Sequence, residues 1–502
     1  MKKKYLIYIP TGLKSPEFEI LLSKAQLLIN KKFEVEVVTL GSYNNETYTT
    51  SSNIFSQKLI QNACMYKRMQ GFKMLSGRYK LTFTPKLKNY NSILSKFKYH
   101  SIKAINKSTY EGVDIPSAAL SSYLGISRDG NLEGEIFKKT IKNLCNTSVN
   151  LYLFFKSKIK TTNYYKVILY NARHNEYRPL LRICQKNKIK TSVLEFSGDG
   201  EKNIGIRDFG RNLPTDLNNY KKMIYRFWKY VSTKKNKCDY YFKYKRDGKI
   251  INDRKSYVLS QDKNLLPREW DSKKRNIVYF TSSQDEYTAL GGEYDKTIYK
   301  DQNEALRKII KSFKKKKLKN LCLWVRCHPN LKNVFWQFHK KIFNFNDPKN
   351  NIFIIPPESK VSSYKMLLNS EKIINYFSQT GIEAVYWDKP SIGLGRRVYD
   401  QLNCIYKPKN HHETMNLILN EKLKPKPKLG ALKYASFIVE GGFTYKFFSG
   451  SLIKGYKFKN EFIKMNYINK FLYYIGKFKE YYYFNYLINY KLKSLKKHLM
   501  IR

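Results

Sequence analysis

The chain has 502 residues, more than three times a typical domain of about 150, so at least two packed domains are expected. Apolar residues make up 42%, which excludes wholesale disorder despite a mean hydropathy of -0.57. Ninety-five Lys and Arg against 39 Asp and Glu leave a formal charge of +56, a field that attracts nucleic acid, anionic lipid or phosphorylated substrates alike. The chain is also rich in Tyr, Asn, Ile and Phe, whose codons, like those of Lys, are AT-rich. Charge alone therefore names no partner.

No stretch approaches the ~18 consecutive apolar residues of a membrane-spanning helix. The opening Met1-Lys2-Lys3-Lys4 precedes an apolar run that Pro10 ends too early for a secretion signal. Seven cysteines, scattered from Cys64 to Cys404, form no paired framework and fit a reduced cytosolic setting.

In chain order, Lys4–Ile9 reads as a strand, Phe18–Ile29 as a helix, and Phe33–Leu40 as a strand alternating apolar and acidic residues. This βαβ start predicts a doubly wound sheet. From 42 to 135 the pattern is weak and partly helical. It sharpens again at Val167–Tyr170 (strand), Glu176–Lys186 (helix) and Thr191–Glu195 (strand). Polar, irregular sequence over 245–275 is taken as the linker. A second series follows. Its strands are Asn276–Phe280, Leu321–Val325, Asn351–Ile355, Lys372–Phe377 and Ser391–Leu394. Between and after them lie helices at Gln302–Phe313, Leu331–Phe338, Val361–Leu368, Thr380–Trp387 and Glu413–Leu419. The expected architecture is two Rossmann-like α/β domains, 1–250 and 275–425, facing a central cleft, with a basic, aromatic helical tail over 430–502.

Ligands of such sheets sit at the carboxyl ends of the strands. Three segments place chemistry there. Arg326-Cys327-His328-Pro329 follows the Leu321–Val325 strand and presents a guanidinium and an imidazole suited to a diphosphate or a leaving phosphate. Ser378-Gln379-Thr380-Gly381 joins a strand to a helix; free N–H groups would take an anion, Gly381 would let it approach, and Glu383 would accept ribose hydroxyls. Thr281-Ser282-Ser283 would line the same crevice. Capping and ordinary loop chemistry explain the hydroxyls equally well. Several familiar motifs are absent, including the Gly-x-x-x-x-Gly-Lys-Ser/Thr phosphate loop, His-Glu-x-x-His, Gly-x-Ser-x-Gly and Asp-x-Asp.

Taken together, residues 276–415 resemble the C-terminal half of bacterial GT-B glycosyltransferases of capsule and O-antigen assembly. Phe280-Thr281-Ser282-Ser283, Arg326-x-His328-Pro329, Ser378-x-Thr380-Gly381 and Lys389-Pro390-Ser391 carry the likeness. It implies transfer of a sugar from a nucleotide-sugar donor, a substrate rather than a cofactor, to a lipid-linked glycan acceptor, without a metal ion. His328, Ser378 and Thr380 would contact the nucleotide phosphates, with Arg326, Ser282 and Ser283 beside them, and His328 would assist the leaving phosphate. Asp388 stands where relatives usually have Gly. The N-terminal half matches less closely: Asn171-Ala172-Arg173 looks like the family's Asn-Gly-Arg, with Ala172 replacing the glycine. That makes Arg173 and Arg178 acceptor-binding candidates. Sugar transfer to a hydroxyl needs a base, for which Glu195 is nominated and Asp199 second. The similar His-Pro and Ser/Thr-Gly elements of CDP-polyol phosphotransferases of the teichoic-acid type leave that reaction as an alternative. A non-catalytic polyanion-binding protein is another, although no nucleic-acid module appears. Tyr456–Arg502 holds 14 aromatics and 11 Lys/Arg. It either packs on the body or touches anionic membrane at the inner face of the cytoplasmic membrane.

Overall fold

The computed structural model describes residues 2–41, 54–196, 205–230, 235–249, 256–332, 334, 336–451 and 454–476. Thirteen strands are found among them. The chain divides into two compact units, one of residues 1–196, 208–214 and 444–502, the other of 197–207 and 215–443. The division expected at 245–275 is placed differently by these contacts. Helices Leu217–Tyr230 and Lys235–Arg246 pack with the second unit, chiefly against the helix Leu429–Glu440.

The first unit is built on β1 (Lys4–Tyr8), β2 (Glu34–Thr39), β3 (Lys80–Phe83), β4 (Lys166–Tyr170), β5 (Thr191–Phe196) and β6 (Ile206–Asp208). The sheet order is β3-β2-β1-β4-β5-β6, and the first five strands run parallel. The chain builds outward from β1 to β3, then returns to the other side of β1 for β4. The switch point, where doubly wound sheets hold ligands, therefore lies between the carboxyl ends of β1 and β4. The alternation over Phe33–Leu40 does not put its acids in water. Glu36 is buried and accepts hydrogen bonds from Thr82 (2.6 Å) and Tyr164 (2.6 Å), beside Lys158 at 2.6 Å. Burial would raise its pKa, but these three partners override that and hold the carboxyl down at about 2.

The second unit is built on β7 (Arg275–Phe280), β8 (Leu321–Arg326), β9 (Ile352–Ile355), β10 (Lys372–Asn375) and β11 (Ser391–Gly393), all parallel in the order β11-β10-β7-β8-β9. Strand alternation sorts its core onto two faces. Ile277, Tyr279, Leu323 and Val325 pack with Leu306, Ile309 and Phe313 of the helix Gln302–Lys316. Val278, Phe280, Cys322 and Trp324 pack on the opposite side with Met366 and Leu367 of the helix Ser363–Asn369. Helices thus cover both faces, and the α/β doubly wound class expected from the pattern is observed twice. Here the switch point lies between β7 and β10.

Two expected elements differ. Leu331–Phe338 is not one helix; Pro329 opens a short 3-10 turn, Pro329–Leu331, and a single helical turn follows at Gln337–Lys340. The segment read as a helical tail begins with the helix Leu429–Glu440. An antiparallel hairpin follows, β12 (Phe448–Ser451) and β13 (Gly455–Phe458), and then a helix over 467–476. In the hairpin Phe448 and Tyr456 stack on each other and each meets Phe196 edge-on. All seven cysteines are free and buried.

Candidate functional site

At the β7/β10 switch point the chain ends bring Thr281, Ser282, His328 and Ser378 to one edge of the sheet. Backbone and hydroxyls knit them together. The N–H of His328 donates to Thr281 Oγ1 (3.0 Å), and Ser282 Oγ donates to the carbonyl of Tyr376 (2.6 Å). Ser283 turns away to donate to Asp285. The hydroxyls of Ser378 and Thr380 share a hydrogen bond of 2.7 Å. His328 is half-buried, its ring edge-on to Tyr257, and its Nδ1 accepts from the N–H of Asn330 (3.1 Å). In the neutral ring that contact fixes the proton on Nε2, which makes Nε2 a donor.

Between them lies a backbone outlier. Phe377 adopts φ 59°, in the left-handed region that bulky residues avoid, while its ring stacks on Tyr287 at 3.7 Å. Strained residues of this kind cluster where a strand end is shaped for a ligand.

Two residues have other duties than those expected of them. Arg326 is buried, and its guanidinium donates to the carbonyls of Pro356 (2.5 Å) and Ser359 (3.2 Å) and to Ser363 Oγ (3.3 Å). It ties the loop after β9 to β8, and burial lowers its pKa to about 10. Gly381 is required by its own protein surroundings. A Cβ there would lie 2.4 Å from Asn375 Nδ2 and 2.7 Å from the Tyr399 hydroxyl, so the space is already filled by protein. Glu383 is buried in the helix Thr380–Tyr386, where one carboxylate oxygen accepts from Lys245 and the other from Tyr364 at 2.8 Å. A carboxylate has lone pairs beyond these two contacts.

At the β1/β4 switch point of the first unit the chemistry is acidic. Lys14 Nζ stands 3.1 Å from Glu176 and 3.8 Å from Glu17, and the Tyr177 hydroxyl donates to Glu17 (2.5 Å). Both carboxylates are buried, and Oε2 of Glu176 has no hydrogen-bond partner among the described residues. Burial, helped by Glu176 and Glu195 and opposed by Lys14 and Tyr177, raises the Glu17 pKa to about 7. Next to this group, Glu195 accepts from Asn171 Nδ2 (2.5 Å). Asp199 lies outside the described residues.

The segment after β4 is held in an unusual conformation. Asn171 and Ala172 are both left-handed, at φ 52° and 57°. Arg178 is buried and grips this turn, donating to the carbonyls of Ala172 (3.0 Å) and Arg173 (2.9 Å) and to Asp114 (2.6 Å). Arg173 donates to Ser121 Oγ (2.6 Å). Arg178 therefore positions the turn. His174, half-buried beside it, has its pKa pushed well down by desolvation and then by Lys14, Arg173 and Arg178.

Sequence reasoning missed Lys14, Glu17 and Glu176. They follow β1 and β4, so the strand-end rule that singled out His328 reaches them too. Lys245, Tyr364 and Tyr399 gave no such signal, since only tertiary packing brings them to the 378–383 segment.

Comparison with known proteins bears mainly on the second unit. Residues 218–424 match the family described as capsule polysaccharide biosynthesis protein, a span that falls within that unit and includes the helices ahead of β7. No curated protein matches the chain. Among solved structures, a UDP-GlcNAc 2-epimerase from Methanocaldococcus jannaschii, in complex with UDP-GlcNAc and UDP, is 11% identical at a TM-score of 0.29, covering 88% of this chain and 100% of its own. KpsC from Thermosulfurimonas dismutans, a beta Kdo 2,4 transferase, is 12% identical at a TM-score of 0.32, covering 54% and 79%. Likenesses this distant carry no argument about the reaction.

Proposed function

We propose that the protein is a glycosyltransferase of bacterial capsule synthesis, moving a sugar from a nucleotide-activated donor to a growing glycan. The observation that carries this reading is the family match over 218–424, which spans the strand ends bearing His328, Ser378 and Thr380. The second unit takes the donor. His328 Nε2 donates to a phosphate oxygen as the glycosidic bond to the nucleotide breaks, and Ser378 and Thr380 supply further donors. The first unit takes the acceptor. Its hydroxyl loses a proton to a carboxylate of the β1/β4/β5 group, which includes Glu195, as the new bond to the anomeric carbon forms. Arg178 positions the Asn171–Arg173 turn against that group.

Among the described residues no helix is long and apolar enough to cross a membrane. The helix over 467–476 exposes Tyr467, Ile468, Phe471 and Tyr474, which supports a peripheral contact with the membrane that carries a lipid-linked acceptor.

The test is a thermal-shift panel of CMP, CDP, UDP and GDP followed by turnover with the matching sugar nucleotides. One nucleotide is expected to raise the unfolding midpoint, with sugar transfer from its conjugate, and His328→Ala should abolish the shift. Turnover of a CDP-polyol with no sugar transfer would replace the reading with polyol-phosphate transfer. No shift with any nucleotide would defeat both.

A further inference from the structure

The loop after β11 carries a cation pair that has no part in the reading above, Arg396-Arg397. Register places it closely. Asn375 of β10 pairs with Gly393 of β11, and the N–H of Leu394 donates to the carbonyl of Asn375 (2.9 Å). Gly395 then lies flat against Phe377: a Cβ on it would sit 2.5 Å from the ring and 2.9 Å from the backbone nitrogen. Two residues past Arg397, the Tyr399 hydroxyl donates to the carbonyl of Ser378. The arginines are thus bracketed by two anchors on the segment that leads into Ser378 and Thr380.

Their surroundings differ. Arg396 has acidic neighbours, Glu293 at 3.4 Å and Asp400 at 3.7 Å. For Arg397 the satisfied groups are those of the backbone, its N–H by Asp400 Oδ2 (2.9 Å) and its carbonyl by the Asp400 N–H (3.0 Å). Its side chain makes no hydrogen bond or ion pair with any described residue, although it is half-buried and its Nε is enclosed without an acceptor. An enclosed guanidinium donor without a partner is costly, and an anion that accepts two parallel N–H bonds removes the cost. Arg326, by contrast, is fully engaged with Pro356, Ser359 and Ser363.

The geometry points to Arg397, with Arg396 behind it, as the binding site for the phosphate groups of a phosphorylated ligand at the β10/β11 strand ends, next to the Ser378 and Thr380 hydroxyls. The assignment of that ligand as a nucleotide rests on the transferase reading; the anion site itself does not. The phosphate dianion would lie on the guanidinium fork, and a lysine, a point charge without that fork, would replace it only in part.

Inorganic pyrophosphate is the probe, titrated by calorimetry at about 150 mM salt, where long-range attraction by the +56 charge is screened beyond roughly 8 Å. Wild type is compared with Arg397→Gln, Arg397→Lys and Lys311→Gln, the last an exposed charge on the Gln302–Lys316 helix. Arg397→Gln should weaken pyrophosphate at least tenfold and Arg397→Lys by less, with Lys311→Gln unchanged. The unfolding midpoint without anion should stay within a few degrees of wild type in Arg397→Gln, because no side-chain hydrogen bond or close ion pair with a described residue is lost and only the longer-range attraction to Asp400 is given up; a purely structural arginine would lower it by more. Equal affinity in wild type and Arg397→Gln, or equal losses in Arg397→Gln and Lys311→Gln, would overturn the site. If pyrophosphate binding depends on Arg397 but no sugar nucleotide turns over, the transferase reading fails and the anion site stands.

Discussion

The two switch points are built alike and furnished oppositely. Between β1 and β4 the strand ends present Glu17 and Glu176 around Lys14, with Glu195 one strand further on. Between β7 and β10 they present hydroxyls and an imidazole, with two arginines on the neighbouring β11 loop. The same topology thus makes one crevice lined by carboxylates and another lined by hydroxyls and an imidazole. The backbone sets where a ligand sits, and the first few residues after each strand set its charge.

The comparison breaks most severely if the support of the acidic crevice is removed. Arg178→Ala leaves Asp114 facing Arg182 alone and frees the carbonyls of Ala172 and Arg173. Breaking one partner of a buried pair costs about 3–5 kcal/mol, so denaturant unfolding should show a loss in that range. A loss below about 1 kcal/mol would mean that the turn holds itself.

Next in size is the proton on Glu17. Its folded pKa of about 7 stands above the ordinary 4.5, so the folded chain binds the proton more tightly than the unfolded one. Its contribution to stability is therefore fully present below pH 4.5 and is lost as pH rises through 7, an effect of about 3 kcal/mol. Glu17→Gln should remove that slope. Glu36 runs the other way. Its pKa, lowered to about 2, makes its contribution present above pH 4.5 and lost as pH falls towards 2. Unfolding curves across pH 3–8 separate the two, and a slope that survives Glu17→Gln would place the proton on another group of the cluster.

A smaller effect is expected at the basic crevice. His328→Ala removes one donor from a half-buried ring and should leave the nucleotide-free unfolding midpoint within a few degrees of wild type. At ligand saturation near 100 times Kd, it should cancel up to about 2.7 kcal/mol of stabilisation. A nucleotide shift that persists in the variant would move the phosphate contact away from β8.

Much of this was legible in the sequence, for identifiable reasons. Parallel strands buried on both faces are continuous apolar runs, so β1, β4, β7 and β8 stand out, and glycines, prolines and hydroxyls mark where they stop. The helix Glu135–Thr161 was not anticipated: polar residues are mixed through it and it has no side-chain cap. At the sites, the strand-end rule found His328 and the Ser378–Thr380 segment. It could not tell an arginine that ties a loop, such as Arg326 or Arg178, from one whose side chain has no hydrogen-bond partner among the described residues, such as Arg397. All three are basic residues beside a strand end, and only the positions of distant carbonyls separate them.

The smallest effects concern two positions where the sequence resemblance led to an expected glycine and the chain has another residue, Ala172 and Asp388. Both are left-handed, at φ 57° and 56°. A backbone in this region suits glycine, so the side chain at each position carries strain. A left-handed alanine costs about 1–2 kcal/mol, and replacing it with glycine returns about 0.4–1 kcal/mol of that to the unfolded chain as entropy. Ala172→Gly should therefore stabilise the first unit by roughly 0.5–1 kcal/mol. Asp388→Gly should gain less, because aspartate tolerates this region and its carboxylate meets Lys428 at 2.5 Å across an exposed pair of small worth. Equal gains at both positions would show that the side chain of Asp388 contributes nothing. A loss at Ala172 would show that its methyl group, buried beneath the Arg178 clamp, matters more to that turn than its strain does.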